Sequence, residues 1–123
     1  MFAIMPGRTL PTVDRQAGAR LLQTRRLIAS AQAASDDFDY AESNEILDQA
    51  LTIIEKGDEH LSSSFAGEIY GLRGWNHSHL GDKRSARADT KRALAECRAT
   101  DDPDGVRIYT ANAASLSRTP WSV

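Results

Sequence analysis

The sequence predicts an all-α domain of five helices arranged as antiparallel hairpins. Alanine and leucine, both strong helix formers, are abundant, whereas the β-branched valine occurs only three times in 123 residues. Prolines occur only near the ends, at Pro6, Pro11, Pro103 and Pro120, so none interrupts residues 12–102. In that stretch apolar side chains recur at the three- and four-residue spacing of amphipathic helices.

The first two helices are predicted over residues 13–34 and 39–56. The first helix has an apolar side and a basic remainder, and the turn at 35–37 ends it. The second helix is the clearest amphipathic helix of the chain. Its apolar face contains Ile46, Leu47, Ala50, Leu51, Ile53 and Ile54, and a solvated acidic face contains Glu45, Asp48 and Glu55.

The third helix is predicted over residues 61–80, with Gly81 as its stop. Gly67, Gly71 and Gly74 form a stripe along it. Because glycine inside a helix costs roughly 0.5–1 kcal/mol relative to alanine, such a stripe indicates close approach by another helix. We therefore expect the third helix to be packed on two sides, in the middle of the structure.

The last two helices are predicted over residues 82–98 and 103–117. Asp82 is a suitable N-cap for the fourth helix, and Pro103 suits the first turn of the fifth. Cys97 lies on a small-residue face of the fourth helix, where we expect it to be buried.

Two tails are expected to flank a single helical-repeat domain at residues 12–117. Residues 1–11 begin with an apolar run that is too short for a signal peptide and lacks a basic start. We interpret residues 1–11 as a tail, or alternatively as a segment that docks in a groove of its own or a neighbouring molecule. Residues 118–123 form the second tail, from which Trp121 could pack back.

Length, charge and cysteine content exclude several classes of protein. No apolar run reaches the roughly 18 residues of a membrane span. The net charge of −2 gives no reason to expect nucleic acid. The single cysteine cannot form an internal disulfide and fits a reducing compartment. We therefore expect a cytoplasmic protein whose partners include neither nucleic acid nor membrane.

An internal repeat relates the two hairpins. An offset of 43 residues superimposes Asp39 on Asp82, Ala50-Leu51 on Ala93-Leu94, Ser43 on Ala86 and Ala31 on Gly74. Small residues thus match small residues on both helices of each hairpin.

The second hairpin resembles a tetratricopeptide repeat, and the resemblance covers about residues 24–98. The residues that agree with that pattern are Tyr70, Gly74, Gly81, Asp82, Ala86, Ala93 and Leu94. Arg73, His77 and Thr90 depart from it, since the family has leucine, tyrosine and a bulky aromatic there. Leu27, Ala31, Tyr40, Leu47 and Ala50-Leu51 carry the weaker match of the first hairpin. The offset exceeds the usual repeat of about 34 residues, so we expect an extended loop over 57–62.

The resemblance implies a short right-handed array with the fifth helix as its cap. The first helix of each hairpin would line a concave groove that binds a peptide or helix of a partner protein. In this sequence the groove residues would be Arg25, Gln32, Glu68, Trp75 and His79. Trp75 could instead belong to the core. The leading hypothesis is a non-enzymatic adaptor or small chaperone, with a structural homodimer as an alternative because short arrays leave apolar ends.

Motifs for catalysis or cofactor binding are lacking in the sequence. His77 and His79 are two residues apart on a helix, so their side chains diverge and do not suit one metal ion. A histidine phosphotransfer module using His77 or His79 is the alternative, although neither is followed by the expected lysine three residues on. We predict no catalytic residues, no metal and no cofactor.

The small net charge conceals two charged regions. Residues 36–60 contain nine acidic residues and only Lys56 as a base, whereas the fourth helix is mainly basic. Its basic stripe consists of Arg84, Arg87, Lys91 and Arg98. This stripe is a solvated face, a surface for an acidic partner, or a match for the acidic face of a second copy.

Overall fold

The computed structural model describes residues 12–56 and 59–117, and its secondary structure over these residues is entirely α-helical. The helices are α1 (Thr12–Asp36), α2 (Tyr40–Glu55), α3 (Glu59–His79), α4 (Lys83–Ala99) and α5 (Pro103–Ser117). Within this part of the chain, the prediction of an all-α fold with five helices is confirmed. Both predicted tails, 1–11 and 118–123, lie outside the described residues. Over the part of the chain described, every helix is too short or too polar to cross a membrane.

The expected extended loop between the second and third helices is wrong. Residues 59–62 belong to α3, which begins at Glu59. The long repeat offset is instead taken up by helix length, since α1 has 25 residues and α3 has 21.

Three turns between helices share one construction. A residue with positive φ ends one helix, and the aspartate after it caps the next. The three pairs are Phe38–Asp39, Gly81–Asp82 and Asp101–Asp102, with φ of 65°, 84° and 54° at the first residue of each. The three carboxylates accept hydrogen bonds from the backbone N–H groups of Glu42, Ser85 and Gly105, at 3.3, 3.0 and 3.0 Å. These bonds satisfy backbone donors that a helix start leaves free, and the short turns make neighbouring helices antiparallel.

The helices form two layers around α3. Each helix packs on the next along the chain, and α3 also contacts α1 and α5. No backbone contact joins α2 to α4 among the described residues. One layer therefore consists of α1, α3 and α5, and the other of α2 and α4. The central position predicted for the third helix is confirmed.

The glycine stripe of α3 faces its neighbours as predicted. A Cβ atom on Gly67 would lie 3.0 Å from Cys97 Sγ, and one on Gly74 would lie 3.2 Å from the carbonyl oxygen of Ala86 in α4. Gly71 lies instead under the ring of Tyr109 in α5. The glycine stripe thus allows close packing of α4 at Gly67 and Gly74, and of the Tyr109 ring at Gly71.

The repeat relation holds in three dimensions at the crossing of each hairpin. In the first hairpin, Ser43 Oγ donates a hydrogen bond of 2.7 Å to the carbonyl oxygen of Ala31. In the second hairpin, Gly74 lies against Ala86, and these are the two residues that the 43-residue offset assigns to the same places. Small residues therefore permit a close helix crossing at equivalent positions.

The apolar core lies between α1, α2 and α3. Its buried side chains are Ile28, Ala31, Leu47, Ala50, Leu51, Ile54, Phe65, Ala66 and Ile69. Burial of these apolar surfaces is the main favourable term in folding. The core includes most of the apolar face predicted for the second helix.

A polar network centred on Asn76 joins the same three helices. Asn76 is fully buried. Its Oδ1 accepts a hydrogen bond of 2.8 Å from Ser35 Oγ of α1. Its Nδ2 donates to Ser43 Oγ and Asn44 Oδ1 of α2, at 2.8 and 2.9 Å. Both ends of the amide are therefore satisfied, as a buried polar group requires.

Candidate partner-binding groove

A cavity of about 620 Å³ opens between α1 and α3. It is lined by Leu21, Arg25, Ile28, Ala29 and Gln32 of α1, and by Phe65 and Glu68 of α3. Ile28 and Phe65 are buried core residues, whereas Arg25, Gln32 and Glu68 are exposed. The Arg25 guanidinium lies 5.9 Å from the centre of the Phe65 ring. The cavity thus combines an apolar base with a polar rim.

A second cavity of about 310 Å³ continues this surface towards α5. Its lining consists of Gln32, Glu68, Gly71, Leu72, Trp75, Tyr109 and Asn112. Gln32 and Glu68 line both cavities, so the two adjoin. We call this continuous surface across α1, α3 and α5 the groove.

The structure brings the residues predicted for a groove to one surface. Arg25, Gln32, Glu68 and Trp75 line the groove. His79 lies outside both cavities, but its ring centre is 4.6 Å from that of Trp75. The alternation of three- and four-residue steps places these residues on the groove side of their helices.

Trp75 is a surface residue. Its exposed fraction is 49%, whereas that of the following residue, Asn76, is 0%. Successive helical residues point about 100° apart, so the inward direction of Asn76 turns Trp75 towards the groove. Trp75 therefore lies on the groove surface and not in the core.

An exposed aromatic cluster extends from Trp75 to the turn between α1 and α2. It consists of Phe38, Tyr40, Trp75 and His79. The His79 ring stacks on that of Tyr40 with centres 4.6 Å apart and planes 9° apart. Phe38 meets Tyr40 edge-on at 6.4 Å. Trp75 and His79 were predicted as groove residues from the sequence, whereas Phe38 and Tyr40 were not.

Phe38 is unusual in both its backbone and its exposure. Its φ is 65° and its exposed fraction is 78%. Positive φ is unfavourable for a bulky residue, and the equivalent turn in the second hairpin has Gly81. The repeat offset could have revealed this position, because it pairs a phenylalanine with a glycine stop.

Tyr109 forms the α5 side of the groove and was also missed. Its ring packs over Gly71. Burial, followed by the nearby ionisable groups of Cys97, Glu68 and Asp102, raises the pKa of Tyr109 to about 12. The phenol is therefore neutral at physiological pH and can donate a hydrogen bond.

A charged network lies on the α2/α4 side of α3. Arg73 donates from Nε and Nη2 to the two carboxylate oxygens of Asp89, at 2.8 and 2.9 Å, and from Nη1 to Asp48 at 2.9 Å. The hydrogen bonds that Arg73 donates to Asp89 raise the pKa of Arg73 above its usual value. Arg73 thus links α2 to α4, although those helices do not touch. Arg73 stands where the tetratricopeptide pattern has leucine, and its pairing with Asp48 and Asp89 accounts for a charged residue at this position. Asp48, which was expected on a solvated face, forms an ion pair with Arg73.

His77 belongs to this charged network and not to the groove. Its ring nitrogens lie 3.6 Å from Asp89 Oδ2 and 3.9 Å from Asp82 Oδ2. Hydrogen bonds from Ser85 lower the pKa of Asp82, so that this group is a carboxylate at neutral pH. The Asp82 carboxylate beside His77 would oppose the negative charge of a phosphoryl group, whereas the charge of Asp89 is compensated by Arg73.

The basic stripe of α4 is exposed, but one member has a structural contact. Arg84, Arg87, Lys91 and Arg98 all lie on the surface. Arg87 donates from Nε and Nη2 to the carbonyl oxygen of Leu116, at 3.2 and 3.0 Å. A cation at the C-terminal end of a helix is favourable, so Arg87 holds the last turn of α5.

Cys97 is buried, as expected. Burial raises the pKa of its thiol, and the adjacent Asp102 raises it further. The described part of the chain contains no group of three or more histidine, cysteine, aspartate or glutamate side chains arranged to hold a metal ion.

Comparison with known proteins gives no relative: no family model, no curated protein and no solved structure matches this chain.

Proposed function

We propose that this protein is a non-enzymatic interaction module that binds a peptide or a helix of a partner protein in the groove. The continuous surface across α1, α3 and α5 carries the proposal. It combines two adjoining cavities of about 620 and 310 Å³ with a half-exposed tryptophan. Tryptophan is enriched among the residues that dominate the energy of protein interfaces.

The proposal includes a tetratricopeptide-like arrangement in which α5 caps two stacked hairpins. The recurring turn and the equivalent helix crossings at Ala31–Ser43 and Gly74–Ala86 support it. The layer of α1, α3 and α5 agrees with the first helices of successive hairpins lining one face.

The lining of the groove favours a segment with apolar anchors and modest charge. Leu21, Ile28 and Phe65 suit an aliphatic or aromatic side chain. Arg25 and Glu68 are the charged residues among the lining of the two cavities, one of each sign. Because these two charges cancel, the groove lacks the excess of positive charge that nucleic acids or anionic membranes require, and it is better suited to a protein segment. The buried free thiol of Cys97 supports the cytoplasm as the proposed compartment.

The test selects binding peptides from a displayed random library and measures their affinity in solution. The variant Trp75→Ala should weaken binding roughly 30-fold, the effect of losing about 2 kcal/mol at a hot spot. The matched control is Lys91→Ala, because Lys91 is exposed on α4, outside the groove. Urea unfolding of each variant checks that the fold is intact.

Equal loss of affinity in the two variants would count against the groove. Selected peptides whose cross-links map to α2 or α4 would also contradict it. Sedimentation of the free protein, measured alongside, shows whether the protein self-associates at the concentrations used.

A further inference from the structure

The chain leaves α5 beside the aromatic cluster. Ser115 and Leu116 line a small cavity of about 50 Å³ together with Trp75 and Ser78 of α3. Arg87 fixes this last turn through its two hydrogen bonds to the Leu116 carbonyl. The position at which the C-terminal segment begins is therefore set by the fold.

The direction of α5 points its C-terminal end towards the end of α3. Tyr109 lies over Gly71, and Leu116, two turns later, lines a cavity with Trp75 and Ser78, so α5 runs parallel to α3. The last turn of α5, which ends at Ser117, therefore lies near the end of α3 at His79. An extended segment with the length of residues 118–123 spans roughly 20 Å. That reach is several times the 4.6 Å that separates adjacent ring centres within the cluster.

The segment and the cluster are chemically matched. Residues 118–123 read Arg-Thr-Pro-Trp-Ser-Val. Exposed aromatic rings form the surfaces on which proline-containing extended segments dock, and aromatic pairs attract one another beyond the effect of their buried area. Trp75 is half exposed, and Phe38 holds its exposed ring on an unfavourable backbone. Strain of this kind is concentrated at functional surfaces.

We propose that residues 118–123 dock on the aromatic cluster of the same molecule, with Pro120 and Trp121 packed against Trp75 and His79. This docking goes beyond the proposed function and does not depend on it. Trp75 belongs to both the cluster and the groove, so the docked segment competes with a ligand at that end of the groove. The competition alone rests on the proposed function.

The chain contains two tryptophans, Trp75 and Trp121, which makes the docking directly measurable. The full-length variant Trp121→Phe keeps an aromatic ring at position 121 and leaves Trp75 as the only fluorophore. The variant Trp121→Ala removes that ring with the same single fluorophore. We expect Trp75 emission to be red-shifted and more strongly quenched by acrylamide in Trp121→Ala than in Trp121→Phe.

Two controls keep the comparison specific. Adding Val123→Ala to the Trp121→Phe variant changes the same segment without touching its proline or ring, and should leave Trp75 protected. Far-UV circular dichroism and urea unfolding confirm that all variants are folded. A synthetic peptide of residues 118–123 carrying Trp121→Phe, added in excess to the full-length Trp121→Ala variant, should restore the protection of Trp75 without adding a second fluorophore.

Equal quenching of Trp75 in the phenylalanine and alanine variants would overturn the proposal. Protection that disappears on dilution would overturn it in favour of docking on a second copy. Because no external ligand is used, the result does not depend on whether the groove binds a partner.

Discussion

Replacing Asn76 by alanine should lower the free energy of unfolding by about 3 kcal/mol, because a buried neutral hydrogen bond contributes about 1 kcal/mol and this amide makes three. Its partners, Ser35, Ser43 and Asn44, come from two other helices. The amide is 0% exposed, so bulk water does not reach it to replace the lost bonds.

Urea-induced unfolding followed by far-UV circular dichroism measures this loss. A change of about 3 kcal/mol moves the midpoint by roughly 1–3 M, given the usual slopes of small proteins. Ser78→Ala is the matched control, since Ser78 is an exposed residue two positions along the same helix. It should change stability by less than about 0.5 kcal/mol.

A double-mutant cycle separates the network from general damage to the core. Combining Ser35→Ala with Asn76→Ala should cost about 1 kcal/mol less than the sum of the single changes, because the bond between these residues is lost only once. Strict additivity would refute direct coupling. A midpoint for Asn76→Ala within error of the unmodified protein would refute the reasoning altogether.

Three further predictions concern particular backbone and side-chain environments. Gly74→Ala puts a methyl group 2.8 Å from Thr90 Oγ1 and should lower the free energy of unfolding by about 1–3 kcal/mol. Gly18→Ala, whose added methyl group has nothing within 4 Å, should raise it by up to about 1 kcal/mol. Urea midpoints that shift in the same direction for the two variants would contradict this. Phe38→Gly should raise the free energy of unfolding by about 0.5–1 kcal/mol, because glycine accepts positive φ without strain, and a lower urea midpoint would show instead that the ring stabilises the turn. The pKa of Tyr109 is raised to about 12 from an ordinary 10.0, so the folded state favours the neutral phenol. The resulting contribution to the free energy of unfolding is complete below pH 10 and is lost as the pH rises towards 12. In urea unfolding at several pH values, Tyr109→Phe should lose less stability between pH 10 and 12 than the unmodified protein, and an equal loss would contradict this.

Local patterns were enough to predict the helices. The bounds of α2, α4 and α5 lie within one residue of those expected, because aspartate caps, Pro103 and the three- and four-residue spacing act over a few neighbouring residues. The glycine stripe and the buried Cys97 were also predicted, since a run of small residues on one side of a helix indicates close packing whatever the partner is.

Long-range pairing was not predictable from the sequence. Arg73 read as a departure from a leucine position, and only the packing of α3 between α2 and α4 places it between Asp48 and Asp89. Nothing in the local sequence marks Asn76 either, because its hydrogen-bond partners are 32 to 41 residues away along the chain. Hydrogen bonds of this kind depend on how elements are placed, which no local spacing encodes.

The sequence alone determined that the described part of the chain is helical, where α2, α4 and α5 begin and end to within one residue, and which faces of the helices are small, apolar or charged. Only the tertiary structure decided which of these faces meet and which remain open. Trp75 illustrates the difference: helical spacing put it on one side of α3, but its exposure depends on α1 and α5 lying beside that side without covering it. The physical reason is that secondary structure follows from interactions within a few residues, whereas a surface is defined by what every other element leaves uncovered.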